Sequence, residues 1–361
     1  MRILLTNAAL DHPGGSESFS RDLLLGLQGQ GHAVCAYTHR LGVVAQTLMR
    51  DGIPVVDDLD QVPWTPEIIH GQHHLETMAA LLHFPTVPAI YLCHGWEPWP
   101  ERPPIFPRIH HYAAVDLVTL ETMINRDGLA REQVRLVRNR IDRQRFRPRS
   151  PLPAVPRRAL VFSNYADAGF IALLRSVCAE FAISVDAAGA LTGQVWQAPE
   201  NHLGQYDLVF AKGRSALEAL TVGTVVILCD PWCGAGPLVT RANLDHFRQF
   251  HFGSERQFPA VSAELVRQAI ARYDAADAMH VAERVRRGPD FTATLTEVVE
   301  LYHAARAAAA VAVTDPRAEG VATSRYLRWL AISSRERMAL AAAILYAARD
   351  THLHPQSELD D

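Results

Sequence analysis

The feature that most constrains this chain is an alternation of short apolar runs with glycine loops and amphipathic stretches, broken once by a basic, proline-rich segment. Ile3–Leu5 is a short apolar run, and a polar loop follows to Pro13-Gly14-Gly15. Phe19, Leu23 and Leu27 then fall on one stripe at i, i+4 and i+8, which predicts a helix, with Ser16 as a candidate N-cap. Gly29 and Gly31 stop that helix, and Ala33–Tyr37 reads as the next strand. Strand, glycine loop, helix and strand make a βαβ unit, and its crossover demands a parallel sheet. Further strands are expected at Ile68–His70, Ala89–Cys93, Val115–Leu120 and Val134–Val137, with a helix over Thr77–Leu82. Residues 98–107 carry five prolines and exclude both helix and central strand.

Arg147–Arg158, with four prolines and no apolar period, reads as a linker. The alternation restarts after it. Strands are expected at Ala159–Phe162, Ile183–Val185, Asp207–Phe210 and Thr224–Leu228, with helices over Phe170–Phe181 and Ser215–Thr221. The pattern predicts two Rossmann-like halves, 1–150 and 151–300. An alanine-rich helical segment over 301–361 follows. There the Ser333/Glu336 spacing of a capping box would open a packing helix running to Ala348.

The formal net charge is -4, so nothing global draws the chain onto nucleic acid, and an anionic ligand must be held by local donors. The five cysteines are scattered, as in a reducing compartment. The first apolar run is too short for a signal peptide, and no stretch approaches the roughly 20 apolar residues of a membrane helix. A cytoplasmic protein is expected, with peripheral membrane contact left open.

Ligands of open α/β sheets bind beyond the carboxyl ends of the strands, which selects the loops to inspect. Gly14 and Gly15 lie between a strand and a helix start, where backbone N–H groups and the helix dipole suit an anion or a sugar hydroxyl. His94 ends an apolar strand and enters a loop with Trp96 and Trp99, whose rings either stack on a sugar face or pack the loop. In Lys212-Gly213-Arg214-Ser215-Ala216-Leu217-Glu218 a strand, a glycine loop and a helix start bring two cations to one entrance. There Ser215 and Glu218 also have capping-box spacing. Gly234 and Gly236 follow another apolar strand and offer N–H groups to a sugar or a diphosphate. His70, His73, His74 and Glu76 lie close in sequence but without the spacing of a metal site, and no metal is expected.

Taken in order, several segments resemble those of the family-4 glycosyltransferases. They are Asp11-His12-Pro13-Gly14-Gly15-Ser16-Glu17, Val115-Asp116-Leu117-Val118-Thr119, Asn139-Arg140-Ile141-Asp142-Arg143-Gln144-Arg145-Phe146, and Tyr206-Asp207-Leu208-Val209 through Gly223. The resemblance implies a GT-B fold: two Rossmann-like parallel-sheet domains facing a central cleft. It implies a retaining transferase using a nucleoside diphosphate sugar and no further cofactor, with a glycan, lipid-linked or other hydroxyl acceptor. Donor groups are then Gly14, Gly15, Asn164, Gly213, Ser215, Glu218, Gly234 and Gly236. Glu218 would hold the ribose hydroxyls and His94 would lie near the transferred sugar. Trp96 and Trp99 would face the acceptor. Two departures stand out. Phe210 occupies the place of the family's first glutamate, and Ser163-Asn164-Tyr165-Ala166-Asp167 replaces its basic pair. Arg214, with its planar fork, and then Lys212 are the expected substitutes at the diphosphate. A non-catalytic nucleotide-sugar-binding module and a sugar-nucleotide epimerase are the alternative functions.

Overall fold

The computed structural model describes residues 1–253, 258–313 and 315–353, without the side chains of 343–353. The first sheet has seven parallel strands: β1 (Arg2–Thr6), β2 (Ala33–Tyr37), β3 (Val55–Val56), β4 (Ile68–Gly71), β5 (Ala89–Cys93), β6 (Ile109–Ala114) and β7 (Val134–Leu136). Their order is β3-β2-β1-β4-β5-β6-β7. Leu4 pairs with Cys35 on one side and Ile69 on the other, so β1 is an interior strand, and its middle, Ile3–Leu5, is apolar as a strand covered on both faces requires. The second sheet is built from β8 (Arg158–Phe162), β9 (Ser184–Ala188), β10 (Leu208–Ala211), β11 (Val225–Asp230) and β12 (Gly234–Leu238), in the order β12-β11-β10-β8-β9. Only β12 runs antiparallel to its neighbour.

The first half carries α1 (Gly15–Gly29), α2 (Val43–Arg50), α3 (His74–His83) and α4 (Leu117–Asn125). The second carries α5 (Ala168–Glu180), α6 (Gly213–Val222), α7 (Leu244–Gln249), α8 (Ala263–Ile270) and α9 (Ala275–Arg287). Val115–Leu120, expected as a strand, is instead the entry to α4. Asp116 caps that helix by accepting the Thr119 N–H at 2.8 Å. The strand lies just before it, where His110 and His111 hide the apolar period of β6. On α1 the cap is Gly14, not Ser16.

α10 (Phe291–Val311), which straddles the sequence division at residue 300, packs on the first sheet. Phe291, Leu295, Val298, Leu301, Tyr302 and Ala305 recur on one helical face and join the core formed by α1 and β1. Gly26 of α1 permits the approach, since a Cβ there would stand 3.0 Å from Leu295. Residues 104–107 and the chain from 313 onward make a second, smaller unit, dominated by α11 (Pro316–Leu353). Ser333 does not open a helix. It is interior to α11 and its hydroxyl donates to the Leu330 carbonyl at 3.3 Å. Among the described residues no helix is long and apolar enough to cross a membrane.

A polar contact also seats α10. His70 Nδ1 lies 2.8 Å from the Tyr302 hydroxyl, and its Nε2 lies 3.2 Å from the Gln72 amide nitrogen. The amide donates to Nε2, so the ring proton is on Nδ1 and points at Tyr302. Burial pulls the His70 pKa down to about 3, so the ring is neutral. Tyr302→Phe leaves that buried N–H without an acceptor and is expected to cost about 1–3 kcal/mol, read by urea unfolding. An unchanged midpoint would show that apolar packing alone holds α10.

Candidate functional site

The loops that follow β1, β5, β6, β8, β9, β10 and β11 meet at a cleft of about 610 Å³ between the two sheets. That volume is in the range of small-molecule sites, about 300–1,000 Å³. His94, Gly14, Gly15, Trp96, Asn164, Lys212, Gly213, Arg214, Ser215 and Glu218 all line it. Three expected residues do not. Trp99 packs its ring edgewise on His74, with centroids 4.3 Å apart. Gly234 and Gly236 face the segment at Phe258–Pro259: a Cβ on Gly234 would lie 2.3 Å from the Pro259 carbonyl, and one on Gly236 2.6 Å from the Phe258 ring. These two glycines serve strand packing. The histidines near residue 70 diverge. His70 points at Tyr302, His74 at Trp99, and His73 receives the Ala8 N–H on Nδ1 at 2.9 Å and turns Nε2 toward Glu101.

His94 is held from two sides. Its backbone N–H donates to Glu101 Oε2 at 2.7 Å, and Phe19 meets its ring edge-on at 4.8 Å. Its Nε2 is buried and meets no partner among the described residues. Burial, with Arg214 adding to it, pulls the ring down to about 4 despite Glu101, so His94 is neutral at pH 7. A neutral imidazole with one nitrogen unpaired can accept or donate one further hydrogen bond.

Arg214 has a different assignment from the one its fork suggested. Nε donates to Glu218 at 2.8 Å, Nη1 donates to the Asn139 carbonyl oxygen at 3.1 Å, and Nη2 is paired with Asp22. Asp22 comes from α1 of the first half and also takes Arg145 at 2.6 Å and Arg21 at 3.0 Å. Arg214 is therefore buried and committed to a network that spans both halves. Burial alone would push Asp22 up, but Arg214, Arg145 and Arg21 outweigh it and hold the carboxyl at about 2. Burial pushes Glu218 up against the pull of Arg214 and Arg145. The capping-box reading of Ser215 and Glu218 also gives way. The helix begins earlier, with Lys212 at the N-cap and Gly213 at φ +57°, and Glu218 faces Arg214.

Lys212 pairs with Asp230 at 3.0 Å and passes 5.2 Å from the Tyr165 ring centroid. Its ammonium has three donors, and the side chain is about a third exposed. Asp230 is fixed by the Ser163 hydroxyl at 2.6 Å and the Trp232 N–H at 2.9 Å. Asn164 is spent on architecture: its amide donates to the Pro13 carbonyl at 2.9 Å and its oxygen accepts the Ala190 N–H at 3.0 Å, joining the two halves. Phe210 is buried in the core of the second sheet. Asp22, Asn139, Glu101 and His251 were not singled out in the sequence. For Asp22 a signal existed, because a carboxylate three residues after Phe19 lies on the buried stripe of α1.

No protein-family model and no curated protein sequence matches the chain. Solved structures do. A glycosyltransferase from Rickettsia africae aligns with a TM-score of 0.59 at 12% identity, over 84% of this chain and 98% of that one. Anabaena HepE, in complex with UDP and glucose, aligns with a TM-score of 0.58 at 14% identity, over 84% of this chain and 100% of that one. An alpha-glucosyltransferase in complex with UDP and a DNA 13-mer aligns with a TM-score of 0.56 at 11% identity, over 84% and 99%. At such identities the likeness shows the fold, and the chain has the GT-B fold.

The Asp22 network carries a pH signature. Its folded pKa of about 2 lies below the ordinary 3.8, so its contribution is complete above pH 3.8 and is lost as pH falls toward 2. Asp22→Asn is expected to lose about 2 kcal/mol in urea unfolding at pH 7. The gap should shrink steadily between pH 4 and pH 2, and a constant gap would mean that packing, not charge, is what Asp22 supplies.

Proposed function

We propose that the chain is a glycosyltransferase that moves a hexose from a nucleoside diphosphate sugar to an acceptor hydroxyl with retention, without a metal ion, and that it works in the cytoplasm. The observation that carries this reading is the pairing of chemistries in one cleft. The neutral imidazole of His94, with its Nε2 unpaired among the described residues, comes from the first sheet, and the Lys212 ammonium at the N-terminus of α6 comes from the second. In a GT-B fold that is the place for a sugar attached to a diphosphate. The leaving diphosphate gains negative charge, and preorganised donors aimed at it are usually the largest catalytic effect. The backbone N–H groups of Arg214 and Ser215 lie in the first turn of α6 without intrahelical acceptors, and the helix dipole favours an anion there. Lys212 keeps two donors beyond Asp230 and is the mobile cation of the pair. Glu218 has one oxygen on Arg214, and its second oxygen is assigned to a ribose hydroxyl. Trp96, exposed at the cleft wall, is assigned to the acceptor, a glycan, lipid-linked or other hydroxyl compound.

One observation favours a second reading, a nucleotide-sugar-binding module without turnover: Arg21, Arg145, Lys212 and Arg214 each already face a carboxylate. Calorimetric titration with a panel of nucleoside diphosphates, followed by NMR of products from the matching sugars, separates the two. Binding with transferred sugar of unchanged anomeric configuration supports the enzyme, binding without product supports the module, and no binding removes both. Activity that vanished in chelator and returned with manganese would overturn the metal-free mechanism.

The division of labour between the two cations is testable on the same assay. Lys212→Ala is expected to lower turnover about a hundredfold, the scale seen when one preorganised donor is removed, and to destabilise the fold less than the loss of Arg214 does, because Asp230 keeps the Ser163 hydroxyl and the Trp232 N–H. Arg214→Ala is expected to destabilise the fold by about 3–5 kcal/mol, because Asp22 and Glu218 lose a buried partner. The opposite pattern would place the diphosphate on Arg214.

A further inference from the structure

The two sides of α11 differ. Ala322, Tyr326, Trp329, Leu330 and Ser333 are half-buried on one side, where the Tyr326 and Trp329 rings lie 5.9 Å apart. The opposite side is exposed. There Arg317, Val321, Arg325, Arg328, Ile332 and Arg335 follow one another at intervals of three or four residues, which sets them on a single stripe of the helix. At about 1.5 Å of rise per residue the stripe runs for about 27 Å. Glu319 and Glu336, the acids of this stretch, fall off the stripe. None of the four guanidinium groups on it meets a carboxylate among the described residues. The aliphatic residues set between them are open to solvent, Val321 at 44% and Ile332 at 50% exposure, and the exposed Leu327 and Met338 border them.

A row of four cations without an acid calls for an anionic partner. The exposed aliphatic side chains between them call for an apolar one. A second copy of the same stripe would set like charges face to face. A nucleic acid offers phosphates, but between them it offers bases that stack on aromatic rings, and this stripe carries none. A bilayer with anionic lipids offers both partners at the depths a helix lying flat requires. Its headgroups meet the arginine ends, and the boundary of its acyl layer takes Val321 and Ile332. The arginine stems add apolar cover while their ends stay among the headgroups. A helix can enter that layer because its backbone groups are satisfied within itself.

We propose that α11 lies flat on an anionic lipid surface, with the stripe from Arg317 to Arg335 turned to the lipid. The inference is independent of the cleft and of the activity proposed for it. Sedimentation of the full chain with vesicles tests it, using phosphatidylcholine alone and phosphatidylcholine mixed in equal parts with phosphatidylglycerol. Binding is expected to the mixed vesicles, to be weak on phosphatidylcholine alone, and to fall as salt is raised. Each arginine contributes about fivefold near such a surface, so Arg325→Gln with Arg328→Gln should weaken binding about thirtyfold. Arg317→Gln with Arg335→Gln repeats the test should that pair fail to fold by circular dichroism. Ile332→Ser, which leaves the charge intact, should weaken binding about tenfold by removing apolar burial. Equal binding to both kinds of vesicle, full binding by both folded arginine pairs, an Ile332→Ser variant that binds like the wild type, or duplex DNA or RNA that displaces the vesicles would each overturn the proposal.

Discussion

The molecule is organised around one buried carboxylate. Asp22 lies on the core-facing side of α1, where a charge is costly unless it is paired and hydrogen-bonded. It is satisfied by Arg214 from the other half of the molecule, with Arg145 and Arg21 completing the set. The partners are 192 residues apart in the chain. Docking the halves thus adds the buried Arg214 to the two arginines, Arg21 and Arg145, that the first half itself supplies to this carboxylate.

The same arrangement sets the electrostatics of the cleft. Charge that looks available in a list of side chains is largely consumed inside the protein, because Arg214 balances Asp22 and Glu218 while Asp230 takes part of Lys212. What remains for a ligand is directional rather than ionic: helix N–H groups, an uncharged imidazole, and one lysine on a flexible stem. A site of this kind discriminates by where its donors point.

Much of the frame was legible in the sequence, for physical reasons that also mark where legibility stopped. A strand covered on both faces is apolar along its middle, so the runs that form β1, β5 and β11 could be read directly. β6 could not be read so simply, because His110 and His111 break its apolar run while Leu117–Leu120 imitate a strand after the Asp116 cap. Loops beyond strand ends drew attention to His94 and to Lys212, Gly213, Arg214, Ser215 and Glu218, and the structure brings these together along the cleft. Local spacing misjudged Ser215 with Glu218, Gly234 with Gly236, and Trp99, since in each case a tertiary neighbour decides: Arg214, the segment at Phe258–Pro259, and His74. Periodicity marks Asp22 as inward-facing, but no local rule names a partner so distant in the chain.

The placement of α10 has a consequence for the order in which the protein is made. Residues 158–287, which hold the whole second sheet, lie in the chain between the strands of the first sheet and the helix that covers it. A ribosome therefore releases β1 through β7 long before Phe291, Leu295 and Val298 exist. Until then the part of that sheet's apolar face that α1 and α2 leave bare lacks its cover, while the second half has all the strands and helices it needs to close. The half synthesised first is thus completed last, and the waiting surface is one a nascent chain must shield or have shielded for it.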